Sequence, residues 1–317
     1  MPFLASFSCL WCGAAHQTRS AEDLEGWAQL CPDCVGRAGD NGFLRFRLRQ
    51  ALRDRAAAGG STASVVAVGG PATAATLATA SSPPASPPLA AAPDVDRTMV
   101  DYYEARAPEY DDWYLRRGRY ARGAIHDAAW NAELDAAGRW LDEQPWTGEI
   151  VELAAGTGWW SPLLASRGEL SLYDTSPAAL DRARDRLLAH GLRAHLHVRD
   201  AWAAPDRRVD GLFLGFWLSH VPRPRLAEFL AIARAWLEPG GRLAFIDSLP
   251  DAASGAADHP EPADGSAVRR LADGREFRIV KVYYTQAELT EALQAAGFSD
   301  VAVRTTGRFF LLGSASA

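Results

Sequence analysis

Glu149-Ile150-Val151-Glu152-Leu153-Ala154-Ala155-Gly156-Thr157-Gly158-Trp159-Trp160-Ser161 is the stretch that decides the fold. A short apolar run ends in Gly-x-Gly, and a helical pattern follows from Trp160. Strand, glycine turn and helix in that order give the geometry of a nucleotide-type site at the first crossover of a doubly wound sheet. The glycines let a ligand come close to the backbone. A dinucleotide site wants Gly-x-Gly-x-x-Gly with an open helix N-terminus for the pyrophosphate. Here Trp159 and Trp160 stand where the phosphates would approach, which points to a nucleoside without pyrophosphate and against a nicotinamide oxidoreductase.

Working outward, Asp174 closes the apolar run 170–173, where a carboxylate can accept both ribose hydroxyls. Asp200 follows 195–199 and precedes Ala201-Trp202, within reach of an adenine amino group. Residues 176–190 repeat at helical spacing, 209–216 are apolar enough for a buried fourth strand and 243–246 for a fifth. Thr285-Gln286-Ala287-Glu288 reads as a capping box opening a helix to Ala296, which Gly297 ends. Residues 301–304 and 309–312 read as the last strands, joined at Gly307, and 268–284 as a hairpin insertion turning at Asp273-Gly274.

Four motifs in order carry a resemblance. Residues 152–158 are similar to the first motif of the class I S-adenosylmethionine-dependent methyltransferases, acid-x-Gly-x-Gly-x-Gly, with Ala154 in place of the first glycine. Tyr173-Asp174-Thr175-Ser176 resembles the second motif, Asp200-Ala201 the third, and Leu237-Glu238-Pro239-Gly240-Gly241-Arg242-Leu243 the turn into the fifth strand. Residues 94–317 therefore resemble the small-molecule branch of that family. The resemblance implies a Rossmann-like α/β domain with a doubly wound, mostly parallel seven-stranded sheet. It implies S-adenosylmethionine as cofactor, with Gly156 and Gly158 at its methionine part, Asp174 at the ribose, and Asp200 and Ala201 at the adenine. Glu152, Ala154, Thr175 and Phe216 complete the expected cofactor set. Tyr102-Tyr103-Glu104-Ala105-Arg106-Ala107-Pro108-Glu109-Tyr110 resembles the segment that covers the cofactor, which puts Tyr102 and Tyr110 nearest to it.

Transfer of a methyl group from a sulfonium needs alignment and exclusion of water more than activation. Aromatic faces suit a cationic sulfur, and Tyr102, Tyr103, Tyr110, Trp113, Tyr114, Phe216 and Trp217 crowd the relevant segments. His220, just past the fourth strand, is the candidate general base, weighed against a structural histidine that orders its loop. Arg116, Arg117, Arg119 and Arg122 could clamp an acidic acceptor or the methionine carboxylate, or form a solvated helix face.

The rest of the chain divides sharply. Cys9, Cys12, Cys31 and Cys34 form two C-x2-C pairs separated by eighteen residues, the spacing of a structural zinc site. Residues 1–55 thus resemble a zinc ribbon, in which Zn2+ would supply the folding free energy that so short a segment lacks. Downstream, Leu44, Leu48 and Leu52 share a helical face flanked by Arg45, Arg47, Arg49, Arg53 and Arg55, a basic helix able to contact RNA or a protein. Residues 56–93 hold no charged side chain and are rich in Ala, Ser and Pro, as a flexible linker is. A chain of 317 residues with net charge −6 is not a strongly basic nucleic-acid binder, and no run of about 18 strongly apolar residues suggests a membrane span. A cytoplasmic enzyme acting on a small-molecule acceptor by O-, N- or C-methylation is the main expectation. An RNA methyltransferase reading RNA through the ribbon, and a non-catalytic cofactor-sensing adaptor, are the alternatives.

Overall fold

A computed structural model describes residues 5–8, 15–18, 92–259 and 264–317. The chain divides into two compact units, Met1–Ala91 and Ala92–Ala317. In the first, strands β1 (Ala5–Ser8) and β2 (Ala15–Thr18) pair antiparallel, with Ser8 opposite Ala15. The four cysteines, the arginine-rich segment 45–55 and residues 56–91 lie outside the described residues.

The second unit is built on a seven-stranded sheet. Its strands are β3 (Glu149–Leu153), β4 (Glu169–Asp174), β5 (His195–Val198), β6 (Val209–Gly215), β7 (Leu237–Ser248), β10 (Ser299–Thr305) and β11 (Phe310–Ser316). They lie in the order β10-β11-β7-β6-β3-β4-β5. From β7 to β5 every neighbouring pair is parallel, while β11 runs antiparallel between β7 and β10. Residues 150–153 of β3 and 211–214 of β6 are buried, as central strands covered on both faces must be. The chain winds from β3 out to β5, then crosses back to β6 beside β3. That reversal opens a crevice at the carboxyl ends of β3 and β6, where ligands bind in such sheets.

Helix α1 (Ala92–Arg106) takes in the last two residues of the expected linker, and α2 (Asp111–Tyr114) is a single turn. Helix α3 (Ala124–Asp142) buries Trp130, Leu134 and Leu141. The helix expected from Trp160 is α4 (Ser161–Ala165), and Gly168 then turns the chain directly into β4. Helix α5 (Pro177–Leu188) opens with Pro at its first position, and the Ser176 side chain accepts the Ala179 N–H at 3.0 Å. Helix α6 (Leu226–Ala235) links β6 to β7, and α7 (Gln286–Ala295) starts at the expected capping box of Thr285 and Glu288.

The hairpin is present as β8 (Ser266–Arg270) paired antiparallel with β9 (Glu276–Val280). It packs along α1, with the Tyr102 and Phe277 rings 5.6 Å apart. Past β9, the Val282 N–H donates to the Ser219 carbonyl at 2.8 Å, tying the hairpin to the loop after β6. The insertion thereby builds one wall of the functional site.

Candidate functional site

The turn after β3 carries three residues in the left-handed region, Ala154 at φ +51°, Gly156 at +55° and Gly158 at +68°. Non-glycine residues seldom adopt such angles, and the strain at Ala154 is typical of a functional turn. A Cβ on Gly156 would meet only open space, so this backbone lies bare to the crevice. A Cβ on Gly158 would instead lie 2.7 Å from the Ala183 methyl of α5, so this glycine serves helix packing.

Asp174, at the end of β4, accepts the Gly156 N–H at 2.7 Å and the Ser176 N–H at 2.8 Å. Burial pushes its carboxyl pKa up, partly offset by these hydrogen bonds. Asp200 accepts the Trp202 N–H at 2.9 Å. Ala154, Gly156, Asp174, Thr175, Asp200 and Ala201 line one crevice together with Tyr103, Tyr110 and Phe216. Most of the expected cofactor set is therefore brought together.

Three members of that set stand elsewhere. Glu152 is 1% exposed beneath the turn and accepts the Ser161 hydroxyl at 2.6 Å. Burial pushes its pKa up to about 8, helped by the charge of Asp174. Gly158 packs against α5 as described. Tyr102 is fully buried between Tyr103 and Phe277 and does not line the crevice. Successive residues of α1 are turned by about 100°, so Tyr103 faces the crevice in place of Tyr102. Trp159 and Trp160 do not face the ligand space either: Trp159 stacks on Tyr114 at 4.2 Å, and both rings are buried in the core. Neither ring therefore stands in the crevice, although the sequence placed both where phosphates would approach.

The covering segment is latched to the turn. The Thr157 hydroxyl donates to Asp111 at 2.6 Å, Arg186 of α5 pairs with Asp111, and its Nε donates to the Thr157 carbonyl at 3.0 Å. Glu104 accepts from the Ser176 hydroxyl.

A second cavity of about 360 Å3 adjoins the crevice, sharing Tyr103, Tyr110, Phe216 and His220 with it. Phe216 holds φ +58°, a second strained residue at the junction. The His220 Nδ1 lies 2.7 Å from the Val280 carbonyl, which can only accept, so Nδ1 carries the proton. Nε2 then accepts the Tyr103 hydroxyl at 2.8 Å. Burial and the nearby Lys281 charge hold the His220 pKa well below the usual histidine range. His220 thus sits neutral and orients Tyr103, in surroundings that oppose its protonation.

Arg106, Arg269 and Lys281 bring cationic groups to this cavity. Arg116, Arg117, Arg119 and Arg122, which the sequence offered as either a clamp or a solvated helix face, line neither space. Arg116 donates to the Ser254 and Ala253 carbonyls at 3.0 and 2.7 Å, Arg122 to the Gly255 carbonyl at 3.1 Å, and Arg119 pairs with Asp258 at 3.1 Å. These arginines hold the loop between β7 and β8. Lys281 is the sole lysine of the chain, a signal that could have marked it. Among the described residues no cluster of His, Cys, Asp or Glu could hold a metal ion, and no helix is long and apolar enough to cross a membrane.

A family described as “Methyltransferase domain” matches residues 150–241. Among solved structures, the chain is 30% identical to one described as “DhpI-SAH complex structure”, with TM-score 0.57, over 71% of this chain and 98% of that one. It is 32% identical to one described as “DhpI-SAM-HEP complex”, with TM-score 0.56, over 70% of this chain and 97% of that one. No curated protein matches the chain.

Proposed function

The chain belongs to the class I S-adenosylmethionine-dependent methyltransferases, and on that premise we propose that it methylates a small molecule seated in the second cavity. The observation that carries the reading is the junction of the two spaces. The crevice fits the cofactor by its bare Gly156 backbone and its two carboxylates, Asp174 and Asp200. When bound, S-adenosylmethionine supplies a methyl group on a positively charged sulfur. Gly156 admits the methionine part, Asp174 accepts hydrogen bonds from the ribose, and Asp200 with Ala201 holds the adenine. Tyr103, Tyr110 and Phe216 present ring faces that favour a cation and exclude water. The second ligand in the SAM-HEP complex supports a two-ligand arrangement of this kind. The size of the cavity, at the lower end of small-ligand pocket sizes (about 300–1,000 Å3), supports a small acceptor.

His220 acts as the positioning residue for Tyr103 rather than as a strong base. Calorimetric titration with S-adenosylhomocysteine tests the cofactor half. Asp174→Ala is expected to weaken binding by about tenfold or more, the worth of a charge-assisted hydrogen bond. Absence of binding, or an unaltered affinity in that variant, refutes the assignment. For the acceptor half, incubation with S-adenosylmethionine and a panel of small molecules should yield a product heavier by one methylene unit.

For residues 1–55 the reading remains a structural zinc site on Cys9, Cys12, Cys31 and Cys34, supported by their spacing. Elemental analysis of the full chain should find about one zinc per chain, lost in Cys31→Ser.

A further inference from the structure

We infer that the acceptor is a small oxyanion, held in the second cavity among Arg106, Arg269 and Lys281. This rests on the methyltransferase reading and names the substrate class of the same site.

The three cations come from α1, β8 and the segment just past β9, and converge on one cavity. Among the described residues none of them forms an ion pair with a carboxylate. Arg106, 7% exposed, donates one hydrogen bond to the Tyr120 hydroxyl at 3.2 Å and lies over the Tyr110 ring at 4.5 Å. Among the described residues its buried Nε has no hydrogen-bond partner. Lys281, 8% exposed, donates to the Ser219 hydroxyl at 2.9 Å. Among the described residues Arg269 donates only to the neighbouring Val268 carbonyl, at 3.3 Å.

Nearby acids do not neutralise this set. Asp251 lines the cavity, but its carboxylate accepts the Ala253 N–H at 2.8 Å and pairs with Arg308 at 2.6 Å. Asp247 is occupied by the Ser219 and Ser248 N–H groups at 2.8 and 2.7 Å, though its charge favours protonated Lys281. Burying like charges together is unfavourable unless a counter-charge arrives. The fields of Arg106 and Arg269 oppose the charge on Lys281 and on His220 alike. The cavity is thus arranged to hold a negative group beside a histidine kept neutral.

Inorganic phosphate and sodium acetate serve as probes, titrated into the full chain saturated with S-adenosylhomocysteine at constant ionic strength. Saturable binding of either is expected, and the one bound distinguishes a phosphate-type from a carboxylate acceptor. Lys281→Met and Arg269→Gln should each weaken it by about tenfold or more, with S-adenosylhomocysteine affinity unchanged. The second variant replaces a half-buried side chain and guards against loss of folding in the first. If the chain binds S-adenosylhomocysteine but neither anion, or binds an anion equally in both variants, the oxyanion inference fails and the methyltransferase reading stands. If S-adenosylhomocysteine itself does not bind, both fail.

Discussion

Replacing Gly156 and Gly158 separately by Ala should split stability from cofactor affinity. Both residues are left-handed, at φ +55° and +68°, so each substitution incurs a backbone penalty of about 1–2 kcal/mol. The surroundings differ. At Gly158 the new Cβ would lie 2.7 Å from the Ala183 Cβ, 2.9 Å from the Ser161 hydroxyl and 3.0 Å from the Ala183 Cα. Overpacking of that kind adds about 1–3 kcal/mol, for a total of about 2–5 kcal/mol and a melting point lower by roughly 5–15 °C. At Gly156 the Cβ meets nothing but the space reserved for the ligand. Its stability loss stays near the backbone penalty, while S-adenosylhomocysteine affinity should fall by about tenfold or more. Tryptophan fluorescence during denaturation suits the first measurement, since nine of the eleven tryptophans lie in residues 92–317. Calorimetry supplies the second. If Gly158→Ala keeps its melting point and loses affinity instead, the assignment of the two glycines is refuted.

Glu152→Gln should stabilise the protein as pH rises. The folded carboxyl titrates at about 8 against 4.5 in its unperturbed state, so the stability linked to its proton is full below 4.5 and lost as pH approaches 8. The gap between variant and parent should widen over that window by up to about 1.4 kcal/mol per pH unit, and a flat difference in urea unfolding would refute the buried environment. Lys281→Met tests the opposite sign: the folded ammonium titrates at about 8 against 10.5, so the unfolded chain binds the extra proton between those values. The parent should gain stability relative to the variant across pH 8–10.5, and a parallel pair of pH profiles would count against it. Ala154→Gly relieves a left-handed alanine and should raise the melting point by a few degrees, corresponding to about 0.5–1 kcal/mol. An unchanged or lower value would show that the turn is not strained there.

Much of the sheet was legible because its signals are local. The apolar runs at 149–154 and 209–216, the Asp273-Gly274 turn and the capping box at Thr285 each fix an element from a few adjacent residues. The start of the helix after Trp160 was legible but its length was not, because apolar spacing does not reveal that Gly168 turns the chain back after one short helix. Glu152 and Gly158 belong to the right motif, yet act on packing and on the turn's underside. A motif lists the residues a turn requires without saying which of them the ligand meets. The choice between Tyr102 and Tyr103 depended on the rotation of α1 against the hairpin, and that is set by the contact with Phe277 rather than by the helix's own sequence.

The cofactor crevice and the second cavity differ in legibility for a physical reason. Most of the crevice lining is supplied by strand ends and the turns that directly follow them, so its parts stand next to the motifs that announce them. The cavity gathers Arg106, Arg269 and Lys281 across more than 170 positions, and only tertiary packing makes them neighbours. The run of arginines at 116–122 was conspicuous in the sequence, but it lies away from both spaces, with Arg116 and Arg122 donating to backbone carbonyls of residues 253–255 and Arg119 paired with Asp258. A cation bonded to loop carbonyls or paired with a carboxylate stabilises that loop. One left with unused donors at a cavity wall raises the energy of the empty protein and lowers it when an anion enters. Partner accounting, rather than charge density along the chain, therefore locates where an acceptor's negative group would sit, and it singles out the lone lysine.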